Sequence, residues 1–309
     1  AVYKGVAMFA NKKDRILDTG PRICFFLQTA FGTSFAYLTS GVFLSGFALS
    51  IGAGDVLVSY LSVIVNICGV LILAFAAYLE RFQSRKKLTV ILTILSRTAT
   101  LFIIVIPVAV PGQMRIGVFV FMVVLAFTLQ AQTTVVLNQW MMGFMDEKKS
   151  GRYISLRQTL TLGVTVILSV AGGFWMDFMK GEYLGFAVLF AAAAVMSVCE
   201  IILLLRTPDS APYRPLKNVC RLGDALKVPL GDRRFMGFVV YILAFYLLLN
   251  ISDSFTMVYM MKYLALPYKT VTAMYMIISL PQIVLLGFWG RVSDKRGHEF
   301  VLKTSIWLF

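Results

Sequence analysis

The chain has 309 residues, 59% of them hydrophobic and only 14% charged, with a mean hydropathy of +0.81 and a formal net charge of +14. An ordinary soluble domain is about 25% charged. So much apolar surface excludes a water-soluble globular fold and points to an all-α polytopic membrane protein.

Taken in chain order, residues 1–22 form a polar segment that lacks the apolar core of a cleavable signal peptide. Eight apolar runs follow, each near the roughly 20 residues that a bilayer requires. They cover 23–47, 56–79, 88–110, 116–142, 157–176, 183–205, 235–261 and 270–289, and a ninth run begins at Phe300. The segment 206–234 differs from the other connections. It is long, basic and carries Pro208, Pro212, Pro215 and Pro229, which reads as a linker between two bundles. The domain reading is therefore a cytoplasmic segment 1–22, a six-helix bundle 23–205, a cytoplasmic linker 206–234 and a partial second bundle 235–309.

With the N-terminus inside, 24 of the 29 Lys and Arg residues fall on the inner side and four on the outer, while Arg97 lies within a span. This positive-inside bias accounts for the basic charge without a nucleic-acid partner. It places the N-terminus in the cytoplasm and the chain in a plasma membrane of prokaryotic type. The four cysteines show no CxxC spacing and behave as small hydrophobes. With one histidine there is no expected metal or other cofactor. No clustered carboxylates, HExxH or nucleophile arrangement supports an enzyme. No GxxxxGK[ST] loop supports direct use of ATP.

Polar groups at bilayer depth are expensive and so mark candidate sites. Arg97 lies nine residues past Leu88, about 14 Å deep. It reads either as a partner for a substrate anion or proton relay, or as a structural hub that bonds neighbouring carbonyls. Asp253 and Asn250 share one face of the seventh span, Asp253 toward its outer end. Asp253 reads either as a proton carrier or substrate contact, or as an exposed residue at the outer mouth. Glu200, near the inner end of the sixth span, is expected to pair with Arg206 or to snorkel. The fourth span carries Gln130, Thr134 and Asn138 at i, i+4 and i+8, a single polar stripe. Gln28, Gly32 and Tyr37 on the first span, Asn66 on the second, Tyr246 on the seventh and Gln282 on the eighth complete the candidate cavity lining. Each of these can instead serve interhelical hydrogen bonding.

An internal repeat links the two halves. "AAYLERFQSRK" (Ala76–Lys86) aligns with "GRVSDKRGHEF" (Gly290–Phe300) at an offset of 214 residues, so that Ala76 falls on Gly290, Glu80 on Asp294 and Arg81 on Lys295. Gly290-x-x-x-Asp294-Lys295-x-Gly297 resembles the cytoplasmic signature of the major facilitator superfamily. "GFMDEKKSGRYISLR" (Gly143–Arg157) resembles that family's loop between helices 4 and 5, with Ser150 in place of the first arginine. "VPLGDRRFMGF" (Val228–Phe238) resembles its entry to helix 7.

The resemblance implies two bundles of six helices. Here the first is complete, and the second is represented by helices 7, 8 and part of 9. It implies a monomeric secondary transporter, with the lipid bilayer and a small-molecule solute as partners and H⁺ as coupling ion. It also implies that Glu80, Arg81, Gly290, Asp294, Lys295 and Gly297 form a conformational switch, Asp294 pairing in one state only. The expected function is alternating-access movement of a sugar-like solute or other metabolite. Multidrug efflux is the alternative within the family, and a non-transporting or receptor-like membrane protein the alternative outside it. Because the family's second half uses helices 10 and 11, a 309-residue product is expected not to carry solute by itself, and one completed by four spans to do so.

Overall fold

A computed structural model describes residues 20–70, 82, 84–145, 150–179, 182–209 and individual residues between 231 and 304. Among the described residues all extended regular structure is helical. The N-terminal segment, the loop with Glu80 and Arg81, residues 210–230 of the linker and most of the seventh to ninth runs lie outside the described residues.

The first predicted span is corrected from one helix to two, α1 (Gly20–Leu38) and α2 (Gly41–Ser50). Local chemistry explains the break. The hydroxyls of Thr39 and Ser40 return to the carbonyls of Phe35 and Ala36 at 2.8 and 2.6 Å. Ser40 turns extended, and Gly41 takes a positive φ of 54°, which a side chain would strain. Helix α2 then ends in a Schellman turn. Gly52 sits at φ 89°, its N–H reaches the Leu49 carbonyl at 3.0 Å, and the Ala53 N–H reaches the Ala48 carbonyl at 3.0 Å.

Helix α3 (Asp55–Val70) opens the second run. Helix α4 (Arg85–Ala109) is capped by Ser84, whose hydroxyl accepts the Lys87 N–H at 3.2 Å. Helices α5 (Arg115–Met142) and α7 (Tyr183–Arg206) start and end within one residue of their expected limits. Helix α6 (Ser150–Phe178) begins seven residues earlier than expected, so Gly151–Arg157 are helix and not loop. Helices α4 to α7 are each long and apolar enough to cross a membrane, with mean hydropathies of 2.2, 1.9, 1.7 and 2.6.

The buried face of α4 reverses the pattern of a soluble protein. Helix α4 buries Thr89, Thr93, Ser96, Arg97 and Thr100 and exposes Ile91, Leu95 and Phe102. Its four buried hydroxyls bond carbonyls of the preceding turn at 2.7–3.0 Å, so small polar residues pack inside without orphaned donors. The most extensive packing joins α4 to α5 and α1 to α7.

Two apolar clusters bracket a polar level. At one end Phe47 is fully buried among Phe119, Tyr183, Phe186 and Phe190, with ring centroids 5.9–6.4 Å away. At the other, Phe25 meets Trp140 edge-on at 5.0 Å beside Tyr153 and Leu204. Four helices pass from one cluster toward the other, and each contributes one residue to a shared polar group on the way.

Candidate functional site

Those four residues are Gln28 on α1, Arg97 on α4, Gln130 on α5 and Glu200 on α7. Arg97 sits at the middle of α4, twelve residues from each end. Its Nε donates to Glu200 Oε2 at 3.0 Å and its Nη2 to Glu200 Oε1 at 3.2 Å, a two-point pair. Its Nη1 donates to Gln130 Oε1. The Phe35 ring lies 4.2 Å from the guanidinium carbon and covers it from one side. Glu200 Oε1 also accepts from Gln28 Nε2 at 2.8 Å. Arg97 and Glu200 are 5% and 2% exposed, and each supplies the countercharge that makes the other tolerable at this depth.

This corrects two expectations. Glu200 pairs with Arg97 and not with Arg206, and Arg97 is a hub onto a carboxylate and an amide instead of onto carbonyls. Gly32 makes room for the pair: a Cβ at that position would stand 2.6 Å from Glu200 Oε1.

A second group forms toward the Phe25–Trp140 cluster. Arg157 on α6 donates from Nε to Thr29 Oγ1 on α1, and from Nη1 to Asn138 Oδ1 at 3.0 Å and Met141 Sδ at 3.3 Å on α5. Tyr153, fully buried one turn earlier, donates to the Arg22 carbonyl at 2.9 Å, while Arg22 Nε donates to the Phe144 carbonyl at 3.0 Å. Together these bonds join the start of α1 and the start of α6 to the end of α5.

The remaining candidates fall as follows. Thr134 is exposed and returns its hydroxyl to the Gln130 carbonyl at 3.0 Å. Tyr37 is half-buried and stands edge-on to Phe43 at 5.9 Å, away from the polar level. Gln282 is exposed. Gly290 is buried against α6: a Cβ there would meet Ser155 Oγ at 2.1 Å and the Gly151 carbonyl at 3.3 Å. Gly297 holds a φ of 83° that favours glycine. Tyr246, Asn250, Asp253, Glu80, Arg81, Asp294 and Lys295, and the side chain of Asn66, lie outside the described residues.

The structure thus joins Gln28, Arg97 and Gln130. It adds Glu200 and Arg157, which sequence reasoning left in other roles, Thr29, which it did not single out, and Gln132, buried with neither polar side-chain atom bonded. A carboxylate on an apolar helix signalled Glu200 in advance. Nothing in the sequence alone distinguished Arg157 from a topology-setting cation.

Comparisons with known proteins bear on this arrangement. A family model described as "Major Facilitator Superfamily" matches residues 24–309. Among solved structures the chain is similar to one described as "Crystal structure of D-xylose-proton symporter". The TM-score is 0.62 and the identity 15%, with 89% of this chain and 69% of that chain covered. At this identity the likeness shows the fold. No curated protein matches.

Proposed function

The chain belongs to the Major Facilitator Superfamily, and from this premise we propose that it moves a small polar organic solute by alternating access. Family membership makes it an integral membrane transporter and not an enzyme. The observation that carries the finer reading is the α5 face Gln130–Thr134–Asn138. Its first residue is anchored by Arg97 and its last by Arg157, so amide and hydroxyl groups are held in fixed positions along about 12 Å of the helix. Such groups suit a solute rich in hydroxyls or carbonyls.

In this reading α1 to α7 move as one rigid unit. The Arg97–Glu200 pair, with its amide partners, ties four helices across their interior. Separating them would leave buried charge unpaired, which costs about 3–5 kcal/mol. The hub is therefore scaffold, and the moving contact is elsewhere. The Gly290 crossing on Gly151 and Ser155 closes the cytoplasmic side, and its separation opens that side. Coupling to H⁺ follows the symporter whose fold this chain shares, with Asp253 as the proton carrier. The protein acts as a monomer in the plasma membrane, with the inner ends of α1, α5 and α6 in the cytoplasmic half.

Uptake of labelled pentoses, hexoses and organic acids by cells expressing the gene, with and without a protonophore, tests this. Saturable uptake of one class, abolished by the protonophore, is the expected result. Efflux of lipophilic dyes with no uptake of any polar solute would contradict it.

A further inference from the structure

Arg97 and Arg157 are both drawn into the interior, but among the described residues only Arg97 has a countercharge. Every partner of Arg157 is neutral: a threonine hydroxyl, an asparagine carbonyl and a thioether. Among the described residues no carboxylate pairs with it. A guanidinium carries five N–H donors. Nε uses its one and Nη1 its two on these partners, which leaves both Nη2 donors unassigned. Arg157 is only partly buried, so Nη2 is the end of the fork left to receive a further partner.

The surroundings deepen the imbalance. Arg157 stands seven residues into α6, about 10 Å from a helix N-terminus whose own partial charge is positive. The first turn of α6 carries no acidic residue to offset it. The neighbouring Trp140, Met141 and Tyr153 are all buried, so solvent screening is weak. An unpaired charge in such a place is expensive unless something supplies the opposite sign. Asn138, which fixes the guanidinium, is also the inner end of the α5 stripe.

We propose that Arg157 is the anion-binding element of the solute site, and that the transported solute carries a carboxylate or phosphate group received by Nη2 beside Asn138. This rests on the reading of the α5 face as the solute path and names the class of solute that path accepts. The polar body of the solute lies along Thr134 and Gln130, and its anionic end meets Arg157 on the cytoplasmic side of the membrane centre.

The test is binding, read without flux. The purified chain in an uncharged detergent is unfolded thermally in the presence of succinate, inorganic phosphate or D-xylose, at one ionic strength held with chloride. Succinate or phosphate should raise the unfolding temperature in proportion to the logarithm of its concentration, and xylose should not. Arg157→Gln should abolish the rise. Asn138→Asp, which places a carboxylate oxygen beside Nη1, should stabilise the chain without anion and remove the response to added anion. This second variant separates the proposal from a simple loss of folding in the first.

Absence of any anion-dependent rise in the unaltered chain would overturn the proposal, as would an equal rise in both variants. A rise with phosphatidylglycerol but with neither soluble anion would assign the charge to a lipid headgroup and overturn it too. The two readings fail separately. A chain that binds anion through Arg157 yet moves no solute contradicts only the transport reading. One that accumulates a neutral solute with unchanged KM in Arg157→Gln contradicts only this one.

Discussion

Arg97 and Glu200, 103 residues apart in the chain, meet inside the helical assembly with Nε 3.0 Å from Oε2. Neither is tolerable alone at that depth, and each is shielded by a second helix through Gln130 or Gln28. Arg97→Ala or Glu200→Ala should therefore lower stability by about 3–5 kcal/mol. Arg97→Lys keeps the charge but not the two-point contact and should fall between. The double replacement Arg97→Met with Glu200→Leu should recover most of the loss, because no unpaired charge remains. Thermal unfolding of the four variants in detergent, together with membrane yield, reads the cycle. A loss in the double variant equal to the sum of the two single losses would show that the pair is not coupled.

Glycine at position 32 is a packing requirement of the same pair. Gly32→Ala should displace Glu200 and destabilise by about 1–3 kcal/mol, since its Cβ would stand 2.6 Å from Oε1. Gly163→Ala on α6, where nothing lies within 4 Å, should be neutral or stabilising by up to about 1 kcal/mol, as expected for a helical glycine. The contrast in unfolding temperature isolates the contact from the backbone effect.

Much of this fold is legible in the sequence, because a span is a one-dimensional signal. Apolar length alone locates α5 and α7 to within a residue. It misplaces the start of α6, since Ser150–Arg157 is too polar to count as a span yet continues the helix beyond the apolar zone. It misses the break at Ser40–Gly41, where two hydroxyls and a positive φ outweigh an uninterrupted apolar run. The site is only half legible. Depth arithmetic puts Arg97 at the middle of α4 and Glu200 about 9 Å from the Arg206 end of α7. That difference argued against their meeting. Helix packing and a long arginine side chain close the gap, and neither can be read from one helix at a time.

The Gly290 crossing predicts a compensating pair. Gly290→Ala should impair solute uptake by cells expressing the gene, because its Cβ would clash with Ser155 Oγ and so, in the proposed cycle, prevent cytoplasmic closure. Ser155→Gly should leave uptake near the parent level and restore it in the double variant. Additive defects would show that the two positions do not share one contact.

Orientation gives a prediction independent of transport. In a chain with Cys220 replaced, a cysteine at Gly112, in the exposed turn between α4 and α5, should react with an impermeant maleimide in intact cells. One at Ser210 should react only after permeabilisation. The reverse pattern would invert the topology and move Arg157 to the outer half.

In the proposed function the Gln130–Thr134–Asn138 face of α5 carries the solute, and uptake kinetics along it test this. In cells expressing the gene, Gln130→Ala and Asn138→Ala should each raise KM for the accumulated solute at least about tenfold, the loss of one or two hydrogen bonds to a bound polar group. Phe121→Ala, on the exposed apolar side of the same helix, should leave KM unchanged. Unchanged KM in both stripe variants at parent expression levels, or uptake no greater than in cells without the gene, would contradict the account.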